Sequence, residues 1–180
     1  MKKVIIIVAL LMSTLHSFAQ IQSASLVASG LTCSMCSKSI FKALEKLPSV
    51  KSVDVDLDKS VFTIQFKEGI KVEPDDILNA VTDAGFAVAD LKMTALFPAT
   101  KIEKDTHLEF AGATYHFLNV TAQNFSGQKT FTVVDKNYVS TTDYRRFKKS
   151  TDMKCYETGR AENCCAEGVA KGKRVYHITL

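Results

Sequence analysis

The spacing of apolar residues between positions 21 and 91 switches repeatedly between the period of a β-strand and the period of an α-helix. Strands show alternating apolar and polar residues, whereas amphipathic helices show apolar residues three or four positions apart. The expected elements are, in order, a strand at 26–29, a helix at 36–47, strands at 52–57 and 62–66, a helix at 74–84 and a short strand from Phe86. This β-α-β-β-α-β order predicts an α+β domain with the ferredoxin-like motif.

The second half of the chain is richer in β-branched and aromatic residues. The expected elements are strands at 114–121, 129–139 and 174–180, a short helix around 144–148, and a connection or edge element at 93–106. At roughly 100 to 150 residues per domain, a chain of 180 residues fits one large domain or two small ones. We therefore expect the ferredoxin-like domain at residues 22–91, followed by a small, mostly-β domain of unknown role at residues 93–180.

The first 19 residues have the pattern of a secretory signal peptide. Lys2 and Lys3 precede an apolar run at 4–11, and the small residues Ser17 and Ala19 suit a signal peptidase. We expect cleavage after Ala19, export across the inner membrane and a periplasmic location. The apolar run is too short to span a bilayer, so no membrane anchor is expected after cleavage. An uncleaved anchor or a buried N-terminal helix is the alternative.

Five cysteines fall into two groups, Cys33 and Cys36 near the start and Cys155, Cys164 and Cys165 near the end. An odd number in an oxidising compartment leaves at least one cysteine that cannot pair within the chain. A role other than disulfide formation is therefore expected for at least one thiol.

The first pair is placed to bind a soft metal ion. Cys36 is expected in the first turn of a helix and Cys33 in the loop before it, where the partial positive charge of the helix N-terminus favours the thiolate form. Two thiolates satisfy Cu(I) or Hg(II), whereas Zn(II) asks for four ligands. An ion with only two ligands leaves room for a third sulfur from a partner, which would allow transfer by ligand exchange.

The segment Gly30-Leu31-Thr32-Cys33-Ser34-Met35-Cys36, the β-α-β-β-α-β pattern and Gly85-Phe86 together resemble the heavy-metal-associated domain. That family includes copper chaperones, the N-terminal domains of copper ATPases and the periplasmic mercury-binding protein. The resemblance covers about residues 22–91 and implies that Cys33 and Cys36 are the metal ligands, with Leu31 beneath the loop and Phe86 covering it. It further implies Cu(I) as the ion, or else Hg(II) or Zn(II). The implied partner is a copper-transporting ATPase or another metal-handling protein.

Both cysteine groups have other interpretations. Cys33 and Cys36 could perform thiol-disulfide exchange, or form a plain disulfide. In the second group, Cys155 could form a disulfide with Cys164 or Cys165, or the group could form a second soft-metal site joined by His116 or His177. We expect those two histidines to face solvent, because their strands alternate.

Other classes of function lack support in the sequence. The net charge of +4 is modest and no nucleic-acid-binding motif accompanies it. No hydrolytic triad or phosphate-binding glycine loop is recognisable, so no enzymatic activity is expected. The sequence predicts an exported protein that binds Cu(I) through Cys33 and Cys36 and transfers or sequesters it. Mercury or zinc capture is the alternative within metal binding.

Overall fold

The computed structural model describes residues 19–31, 34–163, 165 and 169–180. Its elements are β1 (Gln20–Ser29), α1 (Ser34–Glu45), β2 (Val50–Asp56), β3 (Val61–Phe66), α2 (Pro74–Asp83), β4 (Ala87–Ile102), β5 (His107–Phe110), β6 (Ala113–Phe117), β7 (Gln123–Val133), α3 (Thr141–Lys148), α4 (Cys155–Thr158) and β8 (Val175–Thr179). The signal peptide expected at residues 1–19 lies outside the described residues except for Ala19. None of the helices in the described part of the chain is long and apolar enough to cross a bilayer.

The first half has the predicted β-α-β-β-α-β order. Its strands lie in the order β2-β3-β1-β4, and each neighbouring pair is antiparallel. Ile40 and Leu44 of α1 and Ile77 and Val81 of α2 are buried in one core with alternate strand residues. The apolar stripe of each helix therefore packs against the sheet, as its periodicity predicts.

Strand β4 is the largest departure from the sequence prediction. A short strand and a connection were expected, but Ala87–Ile102 forms one strand of 16 residues. Met93, Ala95 and Phe97 alternate along it and are buried. Pro98 lies within an irregularity of the pairing with β7, between Phe97 and Thr100, where the ladder is already interrupted. A proline, which cannot donate a ladder hydrogen bond, is tolerated at such a position.

Residues 93–180 do not form the separate β-sheet that was expected for a second domain. Within the described residues, all strands belong to one eight-stranded sheet in the order β2-β3-β1-β4-β7-β8-β6-β5. The boundary expected near residue 92 falls inside β4, which pairs with β1 along one edge and with β7 along the other. One hydrophobic core includes Leu26 from the first half and Phe117 from the second. The two halves are therefore joined by backbone pairing and by shared packing.

The expectation that His116 and His177 face solvent is wrong, because both side chains are fully buried. On one face of β6, Tyr115 and Phe117 belong to the main core. A second apolar cluster formed by Leu118, Val134, Phe147 and Tyr156, with contributions from α3 and α4, lies beside the same strands. When a strand is buried on both faces, the alternation of residues along its sequence does not indicate which side chains are exposed to solvent. Burial is the main cause that lowers the pKa of His116 to about 2, so this ring is neutral at physiological pH.

A polar junction also connects the two halves. Asp75 of α2 accepts hydrogen bonds from Tyr138 Oη at 2.7 Å and from Arg174 Nε at 2.8 Å. Arg174 Nη2 also donates to Asp75 at 3.1 Å and to Asp135 at 3.4 Å. Burial alone would raise the pKa of Asp75, but the hydrogen bonds from Arg174 and Tyr138 outweigh it and hold the pKa below its ordinary value. The ionised carboxylate thus holds α2 against the start of β8.

The shared strand predicts that both halves unfold together. Replacing Met93, which is fully buried, by alanine leaves a cavity and should lower the free energy of unfolding by about 2 to 5 kcal/mol. All five tyrosines lie in the second half, while α1 and α2, the two longest of the described helices, lie in the first. In urea unfolding of Met93→Ala, tyrosine fluorescence and helical circular dichroism should therefore shift to the same new midpoint. Lys92→Ala, an exposed change in the same strand, should alter stability by less than about 0.5 kcal/mol. Separate midpoints for the two signals would contradict a single folding unit.

The junction at Asp75 predicts a pH-dependent contribution to stability. Because the folded pKa is lowered, this stabilisation is complete above the ordinary carboxyl pKa of 3.8 and is lost as pH falls through the folded value. Asp75→Asn should cost about 1 to 2 kcal/mol in urea unfolding at pH 7 and much less at pH 2.5.

Asp76→Asn is the matched control for this change. Burial, followed by the charges of Glu73 and Asp75, raises the pKa of Asp76, so its ionised form does not stabilise the fold. The control should change the free energy of unfolding by no more than about 0.5 kcal/mol at either pH. A cost of Asp75→Asn that stayed the same at both pH values would contradict the assigned role of its charge.

Candidate metal centre

The loop between β1 and α1 carries the predicted metal-binding pair. Gly30 follows β1 with φ of +86°, a conformation that favours glycine and turns the chain out of the sheet. Cys36 lies in the first turn of α1 and is half-buried. Cys33, the other predicted ligand, lies outside the described residues.

The start of α1 is electrostatically suited to an anionic ligand. Unpaired backbone N–H groups give a helix N-terminus a partial positive charge. No acidic side chain lies in the first turn of α1 to offset it, and Lys42 lies in the last turn. Met35, directly before Cys36, is 69% exposed, so this end of the helix faces solvent. The site can therefore stabilise a thiolate and remain open to an approaching molecule.

Two apolar side chains, one at the start of the loop and one just before β4, pack into the core. Leu31 is half-buried and packs against the main core, as does Phe86. A Cβ added at Gly30 would lie 3.9 Å from Phe86 Cδ1, so the aromatic ring lies close to the start of the loop. Ser29 Oγ also donates a hydrogen bond to the Ala87 carbonyl at 3.3 Å. These contacts anchor the beginning of the loop to β4.

Comparison with known proteins identifies relatives of the first half of the chain. The family model of the heavy-metal-associated domain matches residues 26–87. The periplasmic component of the mercuric transport protein of Shigella flexneri is 31% identical over 86 residues, which are 48% of this chain and 93% of that protein. The protein belongs to the heavy-metal-associated domain family. The family match ends at the first residue of β4, so the sheet of this family member continues well beyond the matched region.

Two copper-handling proteins are also similar to this heavy-metal-associated protein. Copper-transporting ATPase 1 of Mus musculus is 37% identical over 73 residues, or 39% of this chain. The match covers only 5% of the ATPase. The copper chaperone CopZ of Staphylococcus haemolyticus is 34% identical over 59 residues, which are 33% of this chain and 85% of the chaperone.

The second cysteine group is only partly described. Cys155 is buried at the first residue of α4. Cys165 is half-buried, and its Sγ accepts a hydrogen bond from the Glu162 backbone N–H at 3.4 Å. No disulfide joins Cys155 to Cys165 among the described residues. Cys164 lies outside them, so the alternative disulfide between Cys155 and Cys164 stays a prediction.

His107 was not predicted as a site residue, although the sequence around it contains a local signal. Ala111 and Gly112 both have positive φ and form a two-residue turn between β5 and β6. Such turns set the register of a hairpin, and here His107 pairs directly with His116. A two-residue turn ending in glycine, placed midway between two histidines, was the signal that would have predicted this pairing.

Proposed function

We propose that Cys33 and Cys36 together bind one Cu(I) ion through their thiolate sulfurs. The observation that carries the proposal is the position of Cys36 in the first turn of α1, at a helix end without an opposing acidic side chain. A deprotonated thiol is the form that binds metal, and this end of the helix favours it. Membership of the heavy-metal-associated domain family supports the same assignment.

The number and type of donors favour Cu(I) over Zn(II). A CxxC pair supplies two soft thiolates, which suffice for Cu(I), whereas structural Zn(II) sites use four protein ligands. The exposure of Met35 between the two cysteines supports access for a partner's sulfur. We infer that the ion is passed on by ligand exchange, with the partner's thiolate binding before a protein thiolate leaves.

The partner and the location follow from the same reasoning. A copper-transporting ATPase is one candidate partner, because the chain resembles part of two such ATPases. Another metal-handling protein with an exposed thiolate pair would meet the same chemical requirement. The signal-like segment at residues 1–19 supports export, and a periplasmic location is consistent with the name of the mercuric transport relative.

Mercury capture is the second candidate, because the same two thiolates also satisfy Hg(II). It is favoured by the match that covers 93% of a mercuric transport component. Thiol-disulfide exchange remains the alternative from another class. A reduced protein purified anaerobically would retain copper that Cys33→Ser removes under the first proposal, whereas Cys33→Ser would remove no metal if the pair only exchanged disulfides.

The proposal predicts the loss of one bound ion when the pair is broken. In anaerobic titration against a chromophoric Cu(I) chelator, Cys33→Ser and Cys36→Ser should each bind one Cu(I) fewer per chain than the wild type, because one thiolate remains without its partner. X-ray absorption should show that this ion has two short contacts to sulfur. Cys165→Ser makes the same chemical change at a half-buried cysteine elsewhere and should bind as much Cu(I) as the wild type. Unchanged Cu(I) binding in both loop variants would exclude this site.

A further inference from the structure

Three of the four histidines form a row across neighbouring strands of the second half. His107 on β5 pairs with His116 on β6, and His116 pairs with His177 on β8. The rings of His107 and His116 are stacked with centroids 4.2 Å apart, and the His177 ring lies 5.0 Å from that of His116. The strand register therefore concentrates imidazole nitrogens, which bind transition metals, on one part of the sheet.

Cys155 brings a sulfur to two of these rings. Its Sγ lies 3.8 Å from His107 Nε2 and 3.7 Å from His116 Nδ1. All three donor atoms lie within 4.8 Å of one another. With zinc-like bond lengths of about 2.0 Å to nitrogen and about 2.3 Å to sulfur, a trigonal ion would hold its nitrogen and sulfur ligands about 3.7 Å apart. The two nitrogen–sulfur distances already match that value.

A carboxylate outside this cluster orients one of the rings. His116 Nε2 lies 3.1 Å from Asp105 Oδ1. With Nε2–H donating to this carboxylate, Nδ1 carries the lone pair on the side of Cys155. A histidine held by a carboxylate through its other nitrogen is the usual arrangement around protein-bound metals.

His177 adds an independent observation. Its Nδ1 lies 2.6 Å from Asp135 Oδ1, while its Nε2 is buried without a hydrogen-bond partner among the described residues. Buried polar nitrogens are almost always satisfied by hydrogen bonds or by a ligand. The ring that carries this unsatisfied nitrogen lies directly beside that of His116, so a further imidazole nitrogen is available next to the cluster.

We propose that His107, His116 and Cys155 form a second metal site, which binds a soft or borderline-soft d10 ion. Three donors suffice for Cu(I), whereas Zn(II) needs a fourth ligand beyond these three. Because the two stacked rings differ in orientation by only 9°, they must tilt toward Sγ when the ion binds. His107 lies on the edge strand β5 and is only half-buried, so it has room to move.

The test uses the full, reduced chain with the first pair removed. In the Cys33→Ser/Cys36→Ser background, anaerobic titration against chromophoric chelators should show one Cu(I) or one Zn(II) bound per chain. Adding Cys155→Ser or His107→Ala to that background should weaken binding at least tenfold. His107→Ala removes a half-buried side chain, so this variant keeps the test valid if Cys155→Ser fails to fold.

Two further variants distinguish residues that support the metal site from cysteines that lie outside it. Asp105→Asn should weaken binding about 10- to 100-fold, the usual effect of removing a carboxylate that orients a metal-binding histidine. Asparagine tolerates the φ of +63° at this position, so the backbone is not the cause of the loss. Cys165→Ser should leave binding unchanged. X-ray absorption of the loaded protein should show mixed nitrogen and sulfur neighbours.

Two results would overturn the proposal. One is that the folded background variant, checked by tyrosine fluorescence, binds neither ion or binds it regardless of Cys155 and His107. The other is a disulfide between Cys155 and Cys164 in the protein isolated without reductant, because that sulfur could not then be a thiolate ligand. Failure of this proposal can be distinguished from failure of the first. If Cys33 and Cys36 did not bind Cu(I), the single variants Cys33→Ser and Cys36→Ser would bind as much Cu(I) as the wild type.

Discussion

The architecture depends on the pairing of β4 along both of its edges. In the order β2-β3-β1-β4, this strand would end the sheet and present a row of unpaired backbone N–H and C=O groups. In this protein β7 pairs with that edge, so the sheet continues into the second half. The histidine row and the junction at Asp75 both require this continuation, because His177 lies on β8, Arg174 directly precedes β8, and β8 pairs with β7.

The first half could be predicted from the sequence because each of its elements buries one side. Phe62, Ile64 and Phe66 alternate with exposed residues, and the apolar stripes of α1 and α2 recur at helical spacing. The position of Cys36 at the helix start followed from the same pattern. Local signals sufficed because the motif is built from short connections between neighbouring elements.

The second half could be predicted less well for two physical reasons. β6 is buried along its whole length, so alternation could not show which of its faces meets solvent. Residues 93–106 were expected to form a connection or edge element, but β4 continues through most of this segment and accommodates Pro98 at an irregularity of the ladder. Side-chain partners far apart in sequence were beyond any local pattern, as with Arg174 and Asp75, which are 99 positions apart. The cysteines and histidines could be recognised in the sequence. That His107, His116 and Cys155 lie close together depends on the register of the paired strands, which the sequence pattern did not indicate.

The order of strands also fixes how far apart the two proposed metal sites lie. The loop after β1 and the histidines on β6 are separated by four strand spacings, through β4, β7 and β8, or about 19 Å at roughly 4.8 Å per spacing. Thiolate exchange needs both sulfurs to contact the same ion, within about 2.3 Å each. Because the sheet between them is continuously hydrogen-bonded, this spacing prevents direct ligand exchange between the two sites within one molecule. Each molecule would therefore carry two ions that load and leave independently.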